Sequence, residues 1–161
     1  MTAQRHGNFL TPVAIFLGGI SWLPRFLKQI TAMDKFLSRI TRGRWTFVRI
    51  AGLTSLMLTV VGRKSGTPRT NPVLCVPHEG GYLIAGSNFG GPTEPIWVLN
   101  IRAATTVGVQ IDGVQHVAVP REVEGSERDE VWEQMVKTWP NYAKYAQRTG
   151  RRIPVFMLTP K

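Results

Sequence analysis

The chain has 161 residues, of which 43% are hydrophobic, and a formal charge of +10. That length is enough for one domain with a core of its own, and the single cysteine, Cys75, excludes an intramolecular disulfide. Three scattered histidines, His6, His78 and His116, lack ligand spacing and argue against a structural metal.

The charge is unevenly placed. Residues 1–72 carry eleven lysines and arginines against one acid, Asp34, whereas residues 73–161 carry nine of each sign. The first half therefore calls for an anionic partner: a polyanionic small molecule, an anionic membrane surface or a nucleic acid.

Residues 7–24 hold no charge and are rich in apolar side chains, among them Phe9, Val13, Phe16, Leu17 and Trp22. A bilayer span takes about 20 apolar residues, and Pro12, Gly18-Gly19 and Pro24 interrupt this one, so it is expected to lie in a membrane interface rather than to cross. No small-residue cleavage site follows it, which disfavours a signal peptide. Phe26, Leu27, Ile30, Met33, Phe36, Leu37 and Ile40 then recur at helical spacing with Arg25, Lys28, Lys35, Arg39 and Arg42 on other faces. This predicts a basic amphipathic helix ending near Gly43, read equally as a helix on the core and as one on a membrane surface. Nucleic acid ranks last among the partners, because the zinc, helix-turn-helix and ribonucleoprotein signatures are missing.

Residues 1–50 thus form an extension, possessing the apolar segment and the basic helix, and residues 51–161 a domain of short strands. Strands are predicted over 56–61, 71–76, 82–85, 106–111, 114–119 and 153–158, with hairpins at 77–81 and at Asp112-Gly113. Thr93-Glu94-Pro95 offers a cap and a first-turn proline for a helix over 96–103, and Ser126 a cap for a helix carrying Val131, Trp132, Met135, Val136 and Trp139. Six short strands with helices in the connections predict a small, mostly antiparallel barrel in the α+β class. Cys75 falls in an apolar run, where a buried, inert thiol is favoured over a nucleophile.

Two loops concentrate donor groups. In 62–72, Gly62 and Gly66 free the backbone to turn, Arg63, Lys64 and Arg69 bring charge, and Ser65, Thr67 and Thr70 bring hydroxyls, as a phosphate or carboxylate cradle requires. The spacing is neither G-x-x-x-x-G-K-[ST] nor G-x-G-x-x-G, and a solvated hairpin turn is the competing reading. In 86–92, glycine and proline shape a loop in which Ser87 and Asn88 offer donors to a planar ligand, against the plainer reading of a strand-to-helix connection. Trp97 and Asn100 fall one turn apart, either flooring a pocket or packing as core. Trp139, Tyr142 and Tyr145 recur at intervals of three, which on one helix stacks them as a substrate wall or as an aromatic core stripe. No G-x-S-x-G elbow or H-E-x-x-H is present, so a hydrolase has little support and a bound cofactor would carry any chemistry.

Taken together, Gly62-Arg63-Lys64-Ser65-Gly66 with Pro68-Arg69 and Asn71-Pro72, Ala85-Gly86-Ser87-Asn88, Trp97-x-Leu99-Asn100, Trp139-Pro140-x-Tyr142-x-x-Tyr145 and Ile153-Pro154-Val155 resemble the deazaflavin-dependent nitroreductases, also described as coenzyme F-420-dependent quinone reductases. The resemblance runs from about Leu56 to the C-terminus. It implies a split β-barrel like that of the flavin-mononucleotide-binding oxidoreductases. The implied cofactor is coenzyme F-420, an 8-hydroxy-5-deazaflavin with a phosphate and a glutamate tail.

By the same resemblance, Arg63, Lys64, Ser65, Gly66, Arg69, Asn71 and Pro72 would take the anionic end, and Ala85, Ser87 and Asn88 would border the ring. Trp97 and Asn100 would help hold the cofactor, while Tyr142, Tyr145 and Trp139 would close a substrate pocket. The implied reaction passes a hydride from the reduced deazaflavin to a quinone such as menaquinone, or to a nitroaromatic. A proton would then come from a phenol, from Ser87 or from water. Trp139 stands where a third tyrosine is usual and Asn88 where a lysine is, which favours quinone over nitro reduction. The extension fits peripheral contact with the inner face of the cytoplasmic membrane. A flavin-mononucleotide-dependent reductase of the same fold, or a non-catalytic deazaflavin or lipid carrier, is the competing expectation.

Overall fold

The computed structural model describes residues 10–20, 29, 32–33, 36–37, 40–41 and 52–161. Six strands, β1 (Ser55–Val61), β2 (Pro68–His78), β3 (Gly81–Ala85), β4 (Val107–Ile111), β5 (Val114–Glu122) and β6 (Val155–Pro160), close into a barrel in the order β1-β2-β3-β6-β5-β4. Every neighbouring pair is antiparallel. Four helices are described around it: α1 (Thr11–Gly18), α2 (Ile96–Ile101), α3 (Gly125–Thr138) and α4 (Asn141–Thr149).

Alternation along the strands makes two apolar layers. Leu56, Leu58 and Val60 of β1, Val73 and Cys75 of β2, Ile84, Val107, Val109, Ala118, Phe156 and Leu158 fill the barrel, and Val98 and Ile101 of α2 plug it. The opposite faces of β2, β3 and β6 present Val76, Leu83, Ala85, Val155 and Met157 to Val131 and Met135 of α3 and to Tyr142 and Tyr145 of α4. Cys75 is 1% exposed and its thiol is pushed well above its ordinary range, first by burial and then by Asp112, as an inert core thiol should be.

Both tight hairpins have positive φ at their two central residues, 43° and 77° at Glu79 and Gly80 and 53° and 85° at Asp112 and Gly113, as primed turns demand. The first is shorter than the expected 77–81 loop, because β2 runs on to His78 and β3 starts at Gly81. β2 also starts earlier than expected, at Pro68. Residues 75–78 pair with β3 alone, and residues 68–74 with β1 alone. Pro68 and Pro72 lie in that one-sided stretch, where a missing N–H costs least.

Three local expectations need correction. Ser126 does not cap α3, which begins at Gly125 with Glu124 as N-cap and no side-chain cap bond. Pro95 is the N-cap of α2 rather than its first residue, and that helix stops at Ile101. Trp139 does not share a helix with Tyr142 and Tyr145: it ends α3 in an extended conformation, φ −136° and ψ 90°, and α4 starts afresh after Pro140. Most of the basic segment at 25–42 lies outside the described residues.

Candidate functional site

Up-and-down connectivity sends alternate loops to opposite ends of the barrel. The turns at 79–80 and 112–113 share one end. At the other lie the β1–β2 loop, the β3–α2 connection, α2 itself and the start of β6. The two loops singled out by composition therefore leave the same end, although β2 and β3 lie between them in sequence.

The β1–β2 loop closes on itself. Gly62 donates to the Thr67 carbonyl at 2.9 Å and Gly66 to that of Gly62 at 2.8 Å. The Thr67 amide donates to Ser65 Oγ at 3.3 Å. Gly66 sits at φ +66°, the left-handed region the turn requires of it, and a Cβ on Gly62 would come within 2.6 Å of Ser65 Oγ and displace that hydroxyl. Arg63, Lys64 and Arg69 are all exposed. Among the described residues no carboxylate pairs with any of the three, whereas Arg102, Arg121 and Arg128 each have one. Arg69 and Asn71 continue the row of Val73 and Cys75, which places them on the inward face of β2 as it leaves the barrel.

Asn100 joins this loop to the rest of the site. Its side chain is buried, and its Oδ1 accepts from the Arg63 amide at 3.2 Å and from the Arg63 guanidinium at 3.4 Å. Trp97, one turn earlier on α2, packs edge-on against Phe156 with centroids 6.0 Å apart. Arg102, at the end of the same helix, grips Glu94 and Glu122 at 2.7 Å each and so fixes α2 against the connection before it and the end of β5.

The 86–92 loop is held from outside. A Cβ on Gly86 would meet Val98 Cγ2 at 2.5 Å and Pro154 Cγ at 2.9 Å, so only glycine passes between α2 and β6. Arg151 donates through Nη2 to the Gly86 and Ser87 carbonyls, both at 3.0 Å. Thr149 donates to Gly91 at 2.8 Å and Arg148 to Phe89 at 3.0 Å. Asn88 and Phe89 both have positive φ, 48° and 53°, a cost that a loop bears only when its surroundings impose it. The Asn88 amide donates to the Thr93 carbonyl at 3.0 Å, and Ser87 remains partly exposed. Ala85, the last residue of β3, is buried.

Tyr142 and Tyr145 meet edge to face at 6.2 Å, and both are buried. Burial pushes the Tyr142 phenol far up and that of Tyr145 up to about 12. The Tyr145 hydroxyl donates to the Gly18 carbonyl at 2.8 Å. Asn141 donates to Ile15 at 2.7 Å, so α1 is seated on α4 by side chains that cap its carbonyl end. Trp139 borders the same junction, for a Cβ on Gly18 would stand 2.8 Å from its ring.

Composition thus led to the cation loop, Ser87 and Asn100, but not to Arg148, Thr149, Arg151 or Asn141. The only sign of these was a cluster of bases and a glycine at a helix end, and Gly150 does terminate α4 in the left-handed conformation. Their targets lie 58 or more residues away, beyond the reach of any local pattern. Among the described residues no group of histidine, cysteine and acidic side chains could hold a metal ion.

Comparison with known proteins agrees with this geometry. A family model described as F420H(2)-dependent quinone reductase matches residues 35–160. An F420H(2)-dependent quinone reductase of Mycobacterium tuberculosis (strain H37Rv) is 31% identical over 143 residues, covering 86% of this chain and 95% of that protein. Among solved structures, the F420-H2 dependent reductase FDR-A superposes with a TM-score of 0.60 at 37% identity, over 65% of this chain and 92% of its own. HutZ, a heme storage protein of Vibrio cholerae, gives 0.51 at 16% identity over 66% of this chain and 81% of its own, a likeness of fold alone. The barrel is of the split type expected from the sequence.

Proposed function

The chain belongs to the F420H(2)-dependent quinone reductase family, and we propose that it reduces a hydrophobic quinone with reduced coenzyme F420 held between its two site loops. The observation that carries this reading is the loop of three exposed cations with no carboxylate partner among the described residues, joined through buried Asn100 to the helix that shapes the 86–92 loop. A phosphate and glutamate tail fits that donor set, and each charge-assisted hydrogen bond would contribute about 1.5–3 kcal/mol.

When bound and reduced, the deazaflavin supplies a hydride, which with one proton converts a quinone to its quinol. Arg63, Lys64, Ser65, Arg69 and Asn71 bind the anionic end. Gly66 gives the turn, and Pro72 stiffens the strand that follows. Ala85, Ser87, Asn88 and Trp97 border the ring side, and Gly86 lets the backbone approach closely.

Ser87 is the hydroxyl that orients the acceptor oxygen and relays a proton from water. Tyr142, Tyr145 and Trp139 wall the acceptor side. The raised phenol pKa values and the Tyr145–Gly18 bond favour this wall role over proton donation.

No described helix is long and apolar enough to cross a membrane. Phe16 is 72% exposed on α1 and Phe36 66% exposed in the second segment, next to a cation-rich sequence. We assign this extension to peripheral contact with an anionic membrane, where a lipid-soluble quinone is met.

The test follows oxidised F420 absorbance as purified protein, reduced F420 and menaquinone are mixed in detergent. Rapid reoxidation is expected, with apparent cofactor affinity lowered by Arg63→Ala and Lys64→Ala. Tight F420 binding without quinone reduction would leave the acceptor assignment wrong. No F420 binding would overturn the cofactor reading and make flavin mononucleotide the next ligand to test. Co-sedimentation with phosphatidylglycerol vesicles, lost in Phe16→Asp, tests the membrane contact.

A further inference from the structure

Arg148 is the one described side chain that bonds to both α1 and the 86–92 loop. Its Nη1 donates to the Phe89 carbonyl at 3.0 Å and its Nη2 to the Gly19 carbonyl at 2.9 Å. The guanidinium carbon stands 5.8 Å from the Tyr145 ring centroid, and the Phe89 ring packs on Tyr145 at 5.9 Å. Gly90 is pressed against α4 so closely that a Cβ there would lie 2.9 Å from Tyr145 Cα. The carbonyl that Arg148 grips in the loop belongs to Phe89, a non-glycine residue at φ 53°. Such a conformation relaxes unless something holds it. The carbonyl it grips in the N-terminal segment is that of Gly19, the C-cap of α1, a helix with no basic residue in its own last turn.

We propose that Arg148 is a positioning residue that couples the seating of α1 to the conformation of the 87–91 loop. A planar fork with two outward N–H groups can satisfy both carbonyls only when both are in place, so release of one loosens the hold on the other. The link from loop shape to cofactor binding rests on the function proposed above, whereas the coupling itself does not.

Three variants of the full chain test this: Arg148→Met, Gly18→Val and the double variant. A side chain at position 18 would strike Trp139, Asn141 and Tyr145 within about 3 Å, which unseats α1 and reaches the loop only through Tyr145 or Arg148. Hydrogen exchange is read at the Gly90 and Gly91 amides, which bond to Ser87 and Asn88. The 107–118 hairpin serves as the control for global folding. Each single variant is expected to speed loop exchange about tenfold, and the double variant no more than either single one, as two cuts in one linkage require.

Unchanged loop exchange in Gly18→Val overturns the coupling. Additive effects in the double variant overturn Arg148 as its carrier, because the signal would then pass through Tyr145. The dissociation constant for oxidised F420 is measured in parallel. Faster loop exchange with an unchanged constant upholds the coupling and instead removes the loop from the cofactor site. If α1 seating and loop shape move together and the constant rises with them, both stand.

Discussion

The loop between β1 and β2 and the loop after β3 leave the same end of the barrel, but they are held in different ways. The first is closed by its own amides and hydroxyl, and among the described residues only Asn100 bonds to it from another element. The second is gripped by Arg148, Thr149 and Arg151 from α4 and wedged between Val98 and Pro154. Attraction between long cationic side chains and a polyanion falls off slowly with distance, so an exposed, self-contained loop serves it. Placing a reacting ring is unforgiving, since a misplacement of about 1 Å can cost a hundredfold in rate. The contrast separates binding strength from alignment, and each substitution below acts on one of them.

The largest effect is expected from Gly86→Val, which drives a side chain into Val98 and Pro154. Turnover should be lost, and overpacking should lower the unfolding free energy by about 1–3 kcal/mol, read as a shifted urea midpoint. Next comes the pair Arg63→Ala with Lys64→Ala. Apparent F420 affinity should fall by at least about tenfold and lose much of its salt dependence, with the urea midpoint unmoved. A shifted midpoint there would break the comparison.

Arg151→Met should do the reverse. It removes the Arg151 donor from the Gly86 and Ser87 carbonyls and leaves Ser87 only the Gly90 amide, costing about 1–3 kcal/mol of stability and lowering kcat more than apparent affinity. The smallest effect is the alkaline limb of stability. The Tyr145 phenol is raised by burial from 10.0 to about 12, so the folded protein holds its proton more tightly than the unfolded chain. Stability from this group should be flat from neutral pH to about 10 and then fall as pH rises through 12. Tyr145→Phe should make that fall shallower while leaving the shares of buried Tyr142 and Cys75, as followed by urea midpoints at stepped pH.

The strand pattern was readable from the sequence because each strand spans a few residues and its signal is local. Asp112-Gly113 predicts a primed turn and forms one. The cation loop was also legible, since its glycines, bases and hydroxyls are consecutive. Helix limits were not: Ser126 has the right chemistry for a cap, yet the helix starts at Gly125, φ +61°, with Glu124 as its cap, two residues sooner. The interval of three from Trp139 to Tyr145 suggests one helix, but Pro140 restarts the chain and sends Trp139 elsewhere. Least visible were the grips of α4 on distant carbonyls. A backbone carbonyl is the same at every position, so nothing in the composition of residues 86–91 announces that Arg148 and Arg151 will bond to them.

The two tight turns at Glu79-Gly80 and Asp112-Gly113 have a practical consequence. They lie at the end of the barrel away from both site loops, and all four residues are exposed, with strand pairing beginning at the residues on either side. Insertions at exposed loop tips are tolerated far better than those in elements. A short tethering peptide placed between Asp112 and Gly113 would fix the protein to a solid support with both site loops facing outward, which makes this turn the natural handle for immobilising it.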